Sequence, residues 1–270
     1  MTASARALSA AEPVRATLEA LCAGGLVTVS AEGREPVWQI EPDHQLAATF
    51  YRNSLIQFLL DTALCELAVL RAGYEASGAD PVGTFWDEIG KLRDLLKFEF
   101  YFQERDEHRR RVQAEMSRHD PGWEERLRAG PLGADALLAG MRPLVSHVVV
   151  RPFVEAYRLV ADVLAGDDGV GEDGAEITRR ALGLGRQYVA QRRLRSAESV
   201  SVLLFQTALQ LAGNRGLLEA GAGAGADVDV AERRGEFLAE LRDLVRRLDQ
   251  IEDLAIRRYI KDAASVRLAD

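Results

Sequence analysis

The stretch from Leu46 to Leu70, which is expected to stop at Gly73, constrains this chain more than any other feature. Its apolar residues, Leu55, Ile56, Phe58, Leu59, Leu60, Ala63, Leu64, Leu67 and Ala68, cover most of the circumference of a helix. A helix that is apolar nearly all round has no side to offer to water, so other elements must surround it. The chain therefore has to supply several more helices with apolar stripes. Its 270 residues, 47% of them hydrophobic, are enough to bury such a core.

The remaining sequence provides those helices. Asp80-Pro81 starts one that runs from Val82 to about Phe102 and is dense in aromatics. A charged, solvated helix is expected from Glu104 to Arg118, and His119-Asp120-Pro121-Gly122 breaks it. A long helical pattern from Ala134 to Leu164 must be interrupted or kinked at Pro143 and Pro152, because proline lacks the N–H a helix interior needs. Beyond the acidic loop from Asp167 to Gly174, helices are expected at Ile177–Leu194, Ala197–Leu218 and Val230–Tyr259. The run from Gly221 to Ala226 reads as a linker before the last of them. That last helix spaces Phe237, Leu238, Leu241, Leu244, Val245, Leu248, Ile251 and Leu254 near the heptad interval.

The N-terminus reads differently. Residues Pro13–Cys22 form a short helix ended by Gly24-Gly25. The segments Leu26–Val29 and Val37–Ile40 then flank a polar turn, which is the pattern of a hairpin. The fold expected is mainly α: a multi-helix bundle carrying a small winged-helix-like element of one helix and two strands. The expected organisation is the helix–hairpin element at 1–42, the bundle at 43–262 with Asp43 as N-cap of its first helix, and a tail at 263–270.

Charge and composition exclude several functions. A formal net charge of -8 argues against a nucleic-acid partner, whose phosphates require a basic surface. Cys22 and Cys65 match no zinc or redox spacing and read as small buried hydrophobes, so no metal is expected and a reducing, cytoplasmic compartment is the default. No signal peptide is read at the start, and no apolar run reaches the length of a spanning helix, so any membrane contact is peripheral, on its inner face. There is no nucleophile elbow and no phosphate loop. Gly221-x-Gly223-x-x-Ala226 follows a helix rather than a strand, so no dinucleotide cofactor is expected. Glu41-x-x-His44 lacks the second copy a carboxylate-bridged metal site needs, and it reads as a helix start.

Two segments are left for function. Phe50-Tyr51-Arg52-Asn53 places polar residues in the most apolar helix, where an arginine needs an anionic partner or a route to solvent. The run Arg192-Arg193-Leu194-Arg195-Ser196-Ala197-Glu198-Ser199 sets a basic cluster at a helix C-terminus, where cations are favoured, and offers serines as caps for the next helix. Tyr51, Arg52, Asn53, Arg192, Arg193, Arg195 and Glu198 are thus the candidate residues for an anion contact or an interdomain surface. Dipole stabilisation and internal ion pairs are the alternative.

The same segments carry a family resemblance. The run from Asp43 to Ile56, with Tyr51-Arg52-Asn53 at its centre, resembles the helix that follows the catalytic domain in the glycerol-3-phosphate and dihydroxyacetone-phosphate acyltransferases. Phe85-Trp86, Leu92–Phe100, Arg151–Tyr157, Gly185–Tyr188, Ser196–Ser199 and Asn214–Leu218 resemble it further, in the same order. The closest similarity is to the actinobacterial branch.

That family transfers acyl groups with a histidine followed five positions on by aspartate. Here the fifth positions are Thr49 after His44, Gln113 after His108, Glu124 after His119 and Pro152 after His147. No catalytic residue is therefore carried over. The resemblance implies an accessory C-terminal domain in phospholipid biosynthesis that is inactive alone. Its partner would be a separate acyltransferase catalytic domain, and acyl-CoA or acyl carrier protein would be met only through that partner. A winged-helix-like transcriptional regulator and a stand-alone helical scaffold or ligand-binding bundle are the alternatives.

Overall fold

In a computed structural model the described residues form eleven α-helices, one 3-10 turn and one antiparallel hairpin. The structure describes residues 15–30, 37–40, 44–75, 80–166, 173–218 and 224–267. The chain divides into two units, Met1–Gln57 and Phe58–Asp270.

In the first unit, helix α1 covers residues 15–23. It ends where the glycine pair predicts. Gly25 adopts φ 73°, and the Leu26 N–H donates back to the Leu21 carbonyl at 3.0 Å. Strand β1 (Thr28–Ser30) then pairs antiparallel with β2 (Val37–Gln39), with Thr28 opposite Gln39 and Ser30 opposite Val37. The helix–hairpin element is thus present as expected. The polar turn between the strands, Asp43 as a helix cap, most of the acidic loop after Ala165 and the start of the glycine-rich linker lie outside the described residues.

Helix α2 (Gln45–Glu75) contributes to both units. In the second unit it is the central helix its composition demands, since Ala63, Leu64, Cys65, Leu67, Ala68 and Val69 are all fully buried. Its companions are α3 (Pro81–Leu96), α4 (Arg105–His119), α5 (Trp123–Arg128), α6 (Pro131–Gly140), α7 (Ser146–Val149), α8 (Arg151–Ala165), α9 (Gly174–Ala190), α10 (Val202–Asn214) and α11 (Ala224–Arg267). Helix α8 packs against α9, α10 and α11, while α5 lies against α3, α4 and α6.

Several boundaries differ from the sequence reading. Gly73 does not stop α2, which continues to Glu75. A Cβ at Gly73 would lie 2.2 Å from the Ala134 Cβ, so the glycine permits close approach of α6. Helix α3 ends at Leu96 instead of Phe102, because the Leu96 carbonyl takes the N–H groups of Glu99 and Phe100 and turns the chain. That turn sets the Phe100 ring 4.9 Å from Phe153 and leaves Tyr101 exposed.

The long pattern around Pro143 and Pro152 is broken into α6, α7 and α8, as the prolines require, with Pro152 in the first turn of α8. Helix α9 stops at Ala190, and α10 begins only at Val202, after the 3-10 turn Ala197–Ser199. Helix α11 runs from Ala224 to Arg267, longer than its periodic core. Its buried stripe of Phe237, Leu241, Leu244, Leu248 and Ile251 overrides the low helix propensity of its glycines. Cys65 is buried as expected, whereas Cys22 is only half-buried.

Candidate functional site

The basic run after α9 is built from three nested devices. The first is the helix end itself. The Arg192 N–H donates to Val189 O at 3.0 Å, and the Arg193 N–H donates to Tyr188 O at 2.8 Å. This is the Schellman arrangement, and Arg192 occupies its left-handed position with φ 57°. Glycine is the residue that adopts this conformation freely, as Gly25 does at the end of α1, while a side chain there costs about 1 kcal/mol.

The second device fixes the neighbouring guanidinium. Arg193 stacks 4.0 Å over the ring of Tyr188, which is itself buried. The third pins the loop from beneath. Glu155 on α8, 1% exposed, accepts the N–H groups of Arg195 and Ser196 at 3.1 Å and the Ser199 hydroxyl at 2.9 Å. A carboxylate buried with three donors is compensated for its lost hydration. Arg151, one helical turn earlier and also buried, reaches Glu155 at 3.5 Å, Asp249 at 2.8 Å and Glu252 at 3.1 Å. The loop is thereby tied through α8 to α11.

This geometry corrects one expectation and sharpens another. Ser196 and Ser199 make no side-chain cap for the following turn; Ser199 is committed to Glu155. The backbone N–H groups that could have cradled an external anion are already filled by Glu155. The side chains are a different matter. Arg192, Arg193 and Arg195 are exposed on a rigid loop, and Arg195 has only a long 3.9 Å contact to Glu252. Glu198 is exposed beside them. Tyr51, Arg52 and Asn53 lie on the N-terminal part of α2, in the first unit, and their side chains fall outside the described part of the structure.

The other segments quoted for the resemblance prove to be tied to one another. Tyr157 donates to Glu99 at 3.0 Å, Lys97 to Asn214 at 2.6 Å, and Arg215 pairs with Asp94 at 3.3 Å. A Cβ on Gly185 would come within 2.9 Å of Val200, so that glycine lets α9 pack against the end of the 3-10 turn. Burial pushes the Glu99 carboxyl up, and burial with the Glu99 charge pushes the Tyr157 phenol up as well. These residues hold the bundle together.

Sequence reasoning missed the buried charges that organise the unit. Glu66 is fully buried and accepts the N–H groups of Val145 and Ser146, both at 2.8 Å. Burial raises its carboxyl to about 7 against those two bonds, which pull it down. Glu88 and Arg247, each 3% exposed in their side chains, pair at 2.7 Å, and Arg71 reaches Glu88 at 3.2 Å. The signal available was a single charge interrupting an apolar run, as at Ala63-Leu64-Cys65-Glu66-Leu67-Ala68. Among the described residues no group of His, Cys, Asp or Glu is placed to hold a metal, and no helix is long and apolar enough to cross a membrane.

Comparison with known proteins places this helical region in a family. Residues 2–221 match the family described as "Glycerol-3-phosphate acyltransferase C-terminal region". The plsB1 acyltransferases of Mycobacterium bovis and of Mycobacterium tuberculosis are 39% identical over 259 residues. That match covers 94% of this chain but only 41% of each relative. No solved structure matches the chain significantly. The chain belongs to the family of glycerol-3-phosphate acyltransferase C-terminal regions.

Proposed function

We propose that this chain is the accessory helical part of a glycerol-3-phosphate acyltransferase, contributing a docking surface rather than catalytic residues. In this reading acyl-CoA or acyl carrier protein, and the acyl acceptor, are handled by an acyltransferase part corresponding to the sequence that the relatives carry outside the matched region. The work is done in the cytoplasm, at the inner face of the membrane. Arg192, Arg193 and Arg195, with Glu198 beside them, form the contact, and Tyr51, Arg52 and Asn53 are assigned to the same role on α2.

One observation carries the reading. Arg192 occupies a left-handed position that glycine fills at less cost, and the loop beyond it is held by a buried carboxylate. Strain of this kind, held by its surroundings, is a marker of a surface under selection for something other than stability. Family membership favours this reading over a transcriptional regulator.

The test combines the purified chain with the remaining part of a plsB1 relative and follows acyl transfer to glycerol 3-phosphate. Activity should require both, and Arg192→Glu/Arg193→Glu/Arg195→Glu should abolish it while the chain stays folded, as its circular dichroism would show. Acyl transfer by the chain alone would overturn the proposal.

A further inference from the structure

A cleft of about 580 Å³ opens between α3, the first turns of α4, and Arg215 just beyond α10. Five cations line it, Lys91, Arg93, Arg105, Arg109 and Arg215, against three carboxylates, Asp87, Asp94 and Asp106. Arg215 is already satisfied by Asp94 at 3.3 Å and Glu240 at 2.6 Å. That leaves four cations facing Asp87 and Asp106, on a chain whose formal charge is -8. The cleft inverts the sign of the molecule locally, and low-dielectric walls focus such a field.

Two of the four cations, Arg109 and Arg93, are held by neighbours, while Lys91 and Arg105 stand exposed at the cleft. The Arg109 guanidinium lies 3.9 Å over the Trp86 ring, which in turn packs edge-on to buried Phe85 and Trp123. Arg93 donates to the Gln103 carbonyl at 2.9 Å, and its guanidinium lies 5.7 Å from the centre of the Phe102 ring. Gly90 lines the cleft, and a Cβ there would meet nothing within 4 Å, so the space reaches down to the helix backbone.

Helix α4 starts at Arg105 in the cleft wall, and its N-cap residue Glu104 makes no side-chain cap. The first-turn N–H groups add to the positive potential. Guanidinium forks suit phosphate oxygens, and with Asp87 and Asp106 in the lining the surplus of two cations suits a multiply charged anion better than a single carboxylate. The volume exceeds that of a lone inorganic ion.

We propose that the cleft between α3 and α4 binds a small phosphorylated ligand, its phosphate or diphosphate held by Lys91, Arg105 and Arg109 with Arg93 behind them. The site is independent of the docking loop. Titration calorimetry of the full chain with inorganic pyrophosphate tests it. Saturable binding is expected, weakened at least about tenfold in Lys91→Gln/Arg105→Gln, the loss that follows removal of charge-assisted hydrogen bonds. The control Arg179→Gln/Arg180→Gln, on the exposed face of α9, changes net charge equally and should bind as the parent does.

Sedimentation with vesicles containing anionic phospholipid distinguishes the source of the phosphate. Retention that pyrophosphate displaces and Lys91→Gln/Arg105→Gln abolishes identifies a lipid headgroup. Pyrophosphate binding without retention identifies a free phosphorylated solute. The site is refuted if no saturation appears by about 10 mM pyrophosphate, or if both double variants lose binding equally.

Discussion

Glu66 shows how one buried carboxylate makes the fold sensitive to pH. Its two backbone donors fix the start of α7, yet burial raises its carboxyl from 4.5 to about 7. The folded protein therefore holds a proton that the unfolded chain releases between pH 4.5 and 7. The stability this lends is complete below pH 4.5 and is lost as pH rises through 7, a change on the order of 3 kcal/mol. Urea unfolding at pH 5 and pH 8 should show the parent losing stability relative to Glu66→Gln over that interval. Equal pH slopes for the two proteins would show that Glu66 does not titrate there. Arg192 makes the opposite case, a residue whose removal should help the fold. Arg192→Gly relieves the left-handed strain and should raise stability by about 1 kcal/mol. If the loop is a docking surface, the same change should weaken association with the catalytic part.

Among the elements, α2 and α6 meet so closely that one methyl group decides their spacing. Gly73→Ala places a Cβ against the Ala134 Cβ and should cost about 1–3 kcal/mol, despite alanine's better helix propensity. Ala134→Gly in the same chain vacates the space and should recover part of the loss. A double-mutant cycle measured by thermal unfolding should therefore show a clear coupling energy. Strict additivity would mean that the helices move apart without cost. Helix α8 plays the complementary part. Its apolar face joins α9, α10 and α11, and two charges on it, Arg151 and Glu155, reach the basic loop and α11.

For the whole molecule, the contrast between an acidic chain and two localised basic features governs what it can meet. The exposed arginines after α9 are separated from the cleft cations in sequence and in the elements that hold them. A docking contact that relies on them should weaken as ionic strength rises from about 0.05 M to about 0.5 M, where the screening length falls well below 10 Å. Complementation assays across that range should lose activity steadily in the parent. Complementation that ignores salt would place the contact on an apolar face instead.

The sequence by itself determined the fold class, the central helix and the helix–hairpin element. Each of these follows from periodicity, turn residues and the need to bury an apolar surface, which are local properties. It also supplied the family resemblance and the absence of a histidine–aspartate pair. Only the tertiary structure decided what the polar residues do. Gly73 reads as a stop until Ala134 is seen beside it, and Ser199 reads as a cap until Glu155 is found beneath it. The roles of Glu66, Glu88, Arg151 and Arg247 depend on partners from 79 to 180 positions away in the chain. The cost of burying a charge is met by whichever donors the fold brings near, and no local pattern names them in advance.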